Sequence, residues 1–128
     1  MEKKFGVATK AMIRNDEGKY LVLYKNKTEE ISPNKIDIPG GRMKFGESAE
    51  ESLKREVAEE LGINIEIEKP SRVWSFVKGD LHLVGITFLA KYLDGKLKLS
   101  GEHTKYEWVS RDKILMGDYP KWIKEEFK

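Results

Sequence analysis

Three glutamates, Glu56, Glu59 and Glu60, follow Arg55 in the stretch Arg55-Glu56-Val57-Ala58-Glu59-Glu60. On a helix, spacings of i, i+3 and i+4 put side chains on one face. Like charges placed this way cost an isolated helix roughly 0.2–0.5 kcal/mol per pair. One reading is a solvated acidic face, which asks nothing more of the sequence. The other is a site for hard cations: Mg²⁺ takes oxygen ligands and keeps several waters, so carboxylates clustered on a rigid helix suit it. Arg55 is either an ordinary surface ion pair or a fork that pairs with Glu47 or Glu59 and orients the carboxylates.

The residues around this cluster narrow the choice. Gly41 is followed by five residues, then Glu47, then seven residues, then Arg55-Glu56-Val57-Ala58-Glu59-Glu60-Leu61-Gly62-Ile63. At every defined position this matches the box of the Nudix hydrolase family. The chain resembles that family, and its MutT-type members in particular. Pro39-Gly40-Gly41 matches the lead-in that many members carry, and the strands on both sides of the box extend the resemblance over nearly the whole chain. The resemblance implies a single domain over residues 1–128 with an α/β Nudix fold, a mixed β-sheet sandwiched between helices in α/β/α layers. It implies Mg²⁺-dependent hydrolysis of a diphosphate linkage in a nucleoside diphosphate derivative, with Mn²⁺ able to substitute. Glu56, Glu59 and Glu60 would be metal ligands, and Glu56 the base that activates water. The glycine pair permits a tight turn, so the Gly40 carbonyl is a further candidate ligand. Glu102, in Ser100-Gly101-Glu102-His103, is by the same resemblance a ligand or base brought in from a loop; otherwise it is a solvated acid. The expected catalytic set is therefore Arg55, Glu56, Glu59 and Glu102.

For the substrate, Phe5, Val7, Phe45, Trp74, Phe76 and Trp122 are candidates to contact a nucleobase, with core packing as the alternative for each. Asp118 falls where, by resemblance, sanitisers of oxidised purines carry a base-reading aspartate. Phe5, Val7, Phe45 and Asp118 are taken as the substrate-binding set. The window from Asp118 to Glu126 holds no Asn or Gln, which speaks against the amide that MutT uses to read oxidised guanine. The expected substrate is a nucleoside triphosphate, oxidised or not. Alternatives are ADP-ribose, a nucleotide sugar or a dinucleoside polyphosphate. In a different class stands a non-catalytic nucleotide sensor, against which the intact Arg55, Glu56, Glu59 and Glu60 argue.

These side chains need elements to hold them. Ser48 and Glu51 have the spacing of a capping box, Ala49, Leu53, Val57 and Leu61 recur every four residues, and Gly62 is a natural C-cap, so the box helix begins after Ser48. Strands are expected over Phe5–Ile13 and Tyr20–Tyr24, joined as a hairpin through Asn15-Asp16-Glu17-Gly18. Lys25 to Asn34 reads as a loop and Ile36-Asp37-Ile38 as a short strand. Strand pieces are expected at Ile63–Glu68 and Arg72–Val77 around Pro70, and a long strand at Leu81–Leu93. Asp94-Gly95 reads as a hairpin turn into a strand at Lys96–Leu99, and Tyr106–Val109 as a further strand. His103 reads as a polar loop residue and His82 as structural. Tyr119–Phe127 is expected to be a helix with Trp122, Ile123 and Phe127 on its buried side.

Composition sets the outer bounds. With 128 residues, 39% hydrophobic and 36% charged, the chain is long enough to bury a core without disulfides. Its net charge of +2 is too small to argue for duplex nucleic acid. The expected partner is a small-molecule nucleotide. There is no cysteine, which excludes a disulfide framework, a thiolate zinc site and a cysteine nucleophile. No run approaches the roughly 20 apolar residues of a membrane span, and no apolar run follows the charged Met1–Phe5 start. A cytoplasmic monomer or homodimer is the expectation.

Overall fold

Strand alternation decides the layering. In the computed structural model, which describes residues 2–25 and 36–128, β1 (Lys4–Arg14) and β2 (Tyr20–Lys25) carry apolar side chains on both faces. Ala11, Ile13, Leu21 and Leu23 point one way and pack on Leu53, Val57 and Leu61 of helix α1 (Ala49–Leu61). Met12 and Val22 point the other way. They pack on Ile114 of α2 (Arg111–Met116) and on Ile123 and Phe127 of α3 (Lys121–Phe127). A sheet with two apolar faces must be covered on both, and this one is: the layers are α/β/α, as the resemblance implied. Each fully buried aliphatic side chain contributes about 1.5–3 kcal/mol to this packing.

Among the described residues the sheet has seven strands. The others are β3 (Ile36–Asp37), β4 (Gly40–Arg42), β5 (Asn64–Lys78), β6 (Leu81–Asp94) and β7 (His103–Val109). Its main path runs β3-β2-β1-β6-β5, with β4 paired to β1 and β7 to β2. β1 runs parallel to β6 from Lys4↔Leu81 to Arg14↔Lys91 and antiparallel to β4 at Thr9↔Gly41. The expected hairpin of β1 and β2 forms at Arg14↔Tyr20. The Asn15 side chain closes its turn, accepting from the Glu17 and Lys19 amides at 3.0 Å each. Among the described residues no helix is long and apolar enough to cross a membrane.

Several elements depart from the sequence reading. The two pieces around Pro70 form one strand, β5, whose register shifts at Ile67/Lys69 and Pro70/Arg72 accommodate a residue that cannot donate to the ladder. Lys96–Leu99 is not a strand. Lys98 N donates instead to Leu61 O and Ser100 N to Glu60 O, both at 2.9 Å, so this segment satisfies carbonyls left open at the end of α1. Gly95, at φ 102°, makes the approach possible: a Cβ there would lie 2.7 Å from Gly62 O. His103 opens β7 and is buried, not a loop residue. Trp122 is partly exposed rather than in the core. β4 and α2 were not foreseen; each is too short to show a period. The loop expected at Lys25–Asn34 lies, beyond Lys25, outside the described residues.

Candidate active site

The box helix starts where its cap predicts. Ser48 N donates to Glu51 Oε1 at 3.0 Å and Glu51 N to Ser48 Oγ at 3.1 Å, a reciprocal capping box. The start of the helix thus fixes the phase of every glutamate downstream. Arg55, about two turns into the helix, reaches three glutamates, of which Glu47 precedes the helix. Its Nε and Nη2 donate to the two oxygens of Glu47 at 2.5 and 3.0 Å. Its Nη1 donates to Glu56 Oε1 at 3.0 Å and to Glu59 Oε2 at 3.2 Å. Nη2 also donates to Arg42 O at 3.3 Å, which ties the helix to β4. The guanidinium hydrogen bonds, joined by the Lys44 amide, hold the Glu47 carboxyl down at about 2. One planar fork therefore sets the orientation of three carboxylates, a task for which the point charge of lysine is poorly shaped.

Glu56 rests against the glycine turn. A Cβ on Gly41 would lie 2.5 Å from the Glu56 carboxyl carbon and from its Oε2, so only glycine lets the carboxylate occupy this place. Gly40 is held as strictly, by backbone: at φ 146°, its Cβ would fall 2.0 Å from Thr9 O.

Glu60, at the other end of the cluster, is buried, and its Oε1 has no hydrogen-bond partner. Burial pushes its carboxyl up to about 7; the charges of His103 and Lys10 oppose the shift, and those of Glu102 and Glu56 add to it. The backbone hydrogen bonds from Lys98 and Ser100 to the end of α1 bring the following residues over this carboxylate. One ligand atom each from Glu60, Glu102 and His103 then lies within 4.8 Å of the others. Behind them Asp37 accepts from Lys10 Nζ at 3.0 Å and from Ile38 N at 2.8 Å. Burial would raise the Asp37 carboxyl, but Lys10, His103 and Lys25 outweigh it and hold it well below the usual carboxylate range. Hard oxygens, an open coordination face at Glu102 and an unsatisfied buried oxygen on Glu60 are a donor set that fits a divalent cation.

A cleft of about 580 Å³ lies beside this cluster. Ala8 and Lys10 place it on the face of the sheet shared with Met12, toward α3. Leu83, Trp74, Phe76 and Trp122 supply apolar and aromatic walls, and Lys10, Lys25, Arg42 and Arg72 supply positive charge. The Trp74 and Phe76 rings lie parallel, with centroids 6.1 Å apart. Trp74 can lie flat on the sheet because its partner in register is Gly85, where a Cβ would come within 2.1 Å of the indole. Its Nε1 donates to Thr87 Oγ1 at 3.0 Å, and Thr87 Oγ1 donates to the buried Glu126 at 2.9 Å.

The NUDIX domain model matches residues 4–127. The chain belongs to the NUDIX family. It is similar to the nucleoside triphosphatase NudI of Escherichia coli O17:K52:H18, with 26% identity over 119 residues, 84% of this chain and 83% of that protein. It is also similar to the 8-oxo-dGTP diphosphatase of Haemophilus influenzae, with 29% identity over 85 residues, 59% and 62% of the two chains. Among solved structures, the MutT protein from Methanosarcina mazei Go1 superposes with a TM-score of 0.85 and 34% identity, covering 99% of this chain and 93% of that one. With its family and these relatives, this chain is a Nudix-type pyrophosphohydrolase acting on phosphorus-containing anhydrides.

The acids anticipated from sequence form two groups along α1. Arg55, Glu56 and Glu59 share the guanidinium fork, and Glu60 meets Glu102 across the end of α1. The substrate set does not meet at either. Phe45 is fully exposed; Phe5 is exposed and stands edge-on to His82 at 5.1 Å; Asp118 is exposed. Val7 is half-buried on β1, where its carbonyl accepts from Met43 N. None of these four lines the cleft; Trp74, Phe76 and Trp122, also named from sequence, do. Lys10, Asp37 and His103 were missed. Lysine and aspartate in short strands carry no spacing signal, and His103 shows its place only once β7 is paired.

Proposed function

We propose that this Nudix chain hydrolyses nucleoside triphosphates, oxidised or not, with Mg²⁺ as its natural cofactor and Mn²⁺ able to replace it. What carries this reading is that an acidic cluster adjoins an aromatic cleft bordered by cations, which matches the two ends of a nucleotide. The names of the relatives, a nucleoside triphosphatase and an 8-oxo-dGTP diphosphatase, support it. Glu56, Glu59, Glu60, Glu102 and the Gly40 carbonyl are the groups that would hold the metal. The bound metal supplies charge neutralisation on the diphosphate and a more acidic water. Arg55 orients Glu47, Glu56 and Glu59. Glu56, braced by Arg55 and Gly41, accepts a proton from the attacking water. The water oxygen bonds to phosphorus as one P–O anhydride bond breaks, and the leaving phosphate departs with the electron pair. Lys10 and Arg72 meet phosphate charge, and Trp74 and Trp122 offer faces for the base.

A screen of nucleoside triphosphates, ADP-ribose, nucleotide sugars and dinucleoside polyphosphates, with products identified by mass, tests the substrate. A preference for ADP-ribose would replace the triphosphate reading. Activity is expected with Mg²⁺ and none in excess EDTA; full turnover by chelated, metal-free enzyme would overturn the metal assignment. Tight nucleotide binding without any product would make the chain a sensor.

A further inference from the structure

His103 lies outside the Nudix box, yet it is the most enclosed member of the cluster around Glu60: its side chain is 6% exposed. Its ring stands between two carboxylates, with Nδ1 3.6 Å from Glu60 Oε2 and Nε2 3.8 Å from Asp37 Oδ2. Neither distance is that of a hydrogen bond, so the ring is placed by the backbone rather than pulled in by either acid. Two sets of backbone contacts place it. The Lys98 and Ser100 amides pin the preceding segment to the end of α1, and His103 pairs with Lys25 at the edge of β7.

We propose that His103 is a nitrogen ligand to the cation held by Glu60 and Glu102, braced by Asp37 behind it, so that this site favours borderline transition-metal ions beyond what its carboxylates alone would give. The inference rests on the reading of Glu60 as a metal ligand. A neutral imidazole has one N–H and one lone pair. With a cation bound the ring would be neutral, and Asp37, already bound to Lys10 at 3.0 Å, faces Nε2 and favours the proton there, which leaves the lone pair on Nδ1. That lone pair faces Glu60, whose Oε1 is buried without a partner. Carboxylate, histidine and metal in line is the usual arrangement by which an imidazole ligand is oriented. Imidazole suits Co²⁺, Zn²⁺ and related ions, whereas Mg²⁺ is served mainly by oxygen. The rival account is a charged ring bridging two acids, which would steady Glu60 equally for every metal.

The two accounts separate by calorimetric titration of the full chain with Mg²⁺ alone and Co²⁺ alone at one fixed pH. His103→Gln keeps a polar reach toward Asp37 and removes Nδ1. The expected result is a loss of about tenfold or more in Co²⁺ affinity and less than about threefold in Mg²⁺ affinity. Equal losses for both ions, or none for either, overturn the proposal. Glu60→Gln is expected to weaken both ions; unchanged Mg²⁺ binding in that variant would instead remove the underlying metal reading, and this inference with it. A second measurement needs no variant at position 103. In NMR of the wild-type chain titrated with Zn²⁺, the His103 ring signals should shift and those of His82, the other histidine, should not, with His82→Gln fixing the assignment. Unmoved His103 signals at saturating Zn²⁺ overturn the proposal even if His103→Gln fails to fold.

Discussion

At the scale of single residues, surroundings separate the acids proposed to do chemistry from the rest. Glu102 and Glu107 lie close together in sequence and face different surroundings. Glu102 meets Glu60 and His103. Glu107 accepts from Tyr24 Oη at 2.9 Å and pairs with Lys113 at 3.7 Å, on the far part of β7. Glu56→Gln, Glu60→Gln and Glu102→Gln should each lower kcat by about 10²-fold or more, the scale of losing a base or metal ligand. Glu107→Gln should stay within a few-fold of wild type. Steady-state kinetics on folded variants reads this directly, and a larger loss at Glu107 than at Glu102 would move the extra carboxylate to the wrong side of the strand.

At the scale of elements, the site depends on how closely backbones approach. Gly41→Ala would drive a methyl into the Glu56 carboxylate. The side chain can swing away, so thermal stability should change by no more than about 1 kcal/mol. The carboxylate would nonetheless leave its position, and kcat should fall about tenfold or more. An unchanged kcat would show that Glu56 does not act from where it rests on Gly41. The other face of the sheet has its own buried acid. Burial raises the carboxyl of Glu126 on α3; the Thr87 hydrogen bond and Arg72 partly offset the shift. The unfolded chain therefore ionises first as pH rises above the ordinary carboxylate value, while the folded chain resists. Stability should fall over that window and level off once pH passes the folded value. Glu126→Gln should lack this fall, so the difference in urea unfolding free energy between the two proteins should change with pH above about 4.5. A difference that stays constant from there to neutral pH would mean that Glu126 is not kept neutral by its burial.

At the scale of the whole molecule, the two faces of the sheet carry different parts of the candidate site, which meet at Lys10, Asp37 and Gly41. The α1 layer carries the acids at the rim of an apolar core, and Trp122 of α3 lines the aromatic cleft. Leu53 is fully buried between α1 and the sheet, so Leu53→Ala should cost about 2–5 kcal/mol of stability. The kcat of the remaining folded protein should change far less than in the glutamate variants, because Leu53 touches no reacting group. Urea melts beside active-site titration check this; a cost under about 1 kcal/mol would mean that the α1 layer is not the core it is taken to be.

The sequence by itself determined the box: Ser48, Glu51 and Gly62 bound the helix, and its 3.6-residue period sets Arg55, Glu56, Glu59 and Glu60 in fixed relation, all by interactions within about a dozen neighbouring residues. Through the resemblance that the box carries, it also implied the three layers. Only the tertiary structure decided what stands opposite the box. Lys96–Leu99 looked like a strand, but its amides found the open carbonyls of α1, and that choice carries Glu102 and His103 onto Glu60. Trp122 was expected on the buried side of the last helix and Phe45 in the substrate set; both are exposed, Trp122 on the wall of the cleft and Phe45 away from it, because exposure depends on what other elements cover. Asp37 and Lys10 acquire meaning from each other across 27 positions of chain, a distance over which no local pattern carries information.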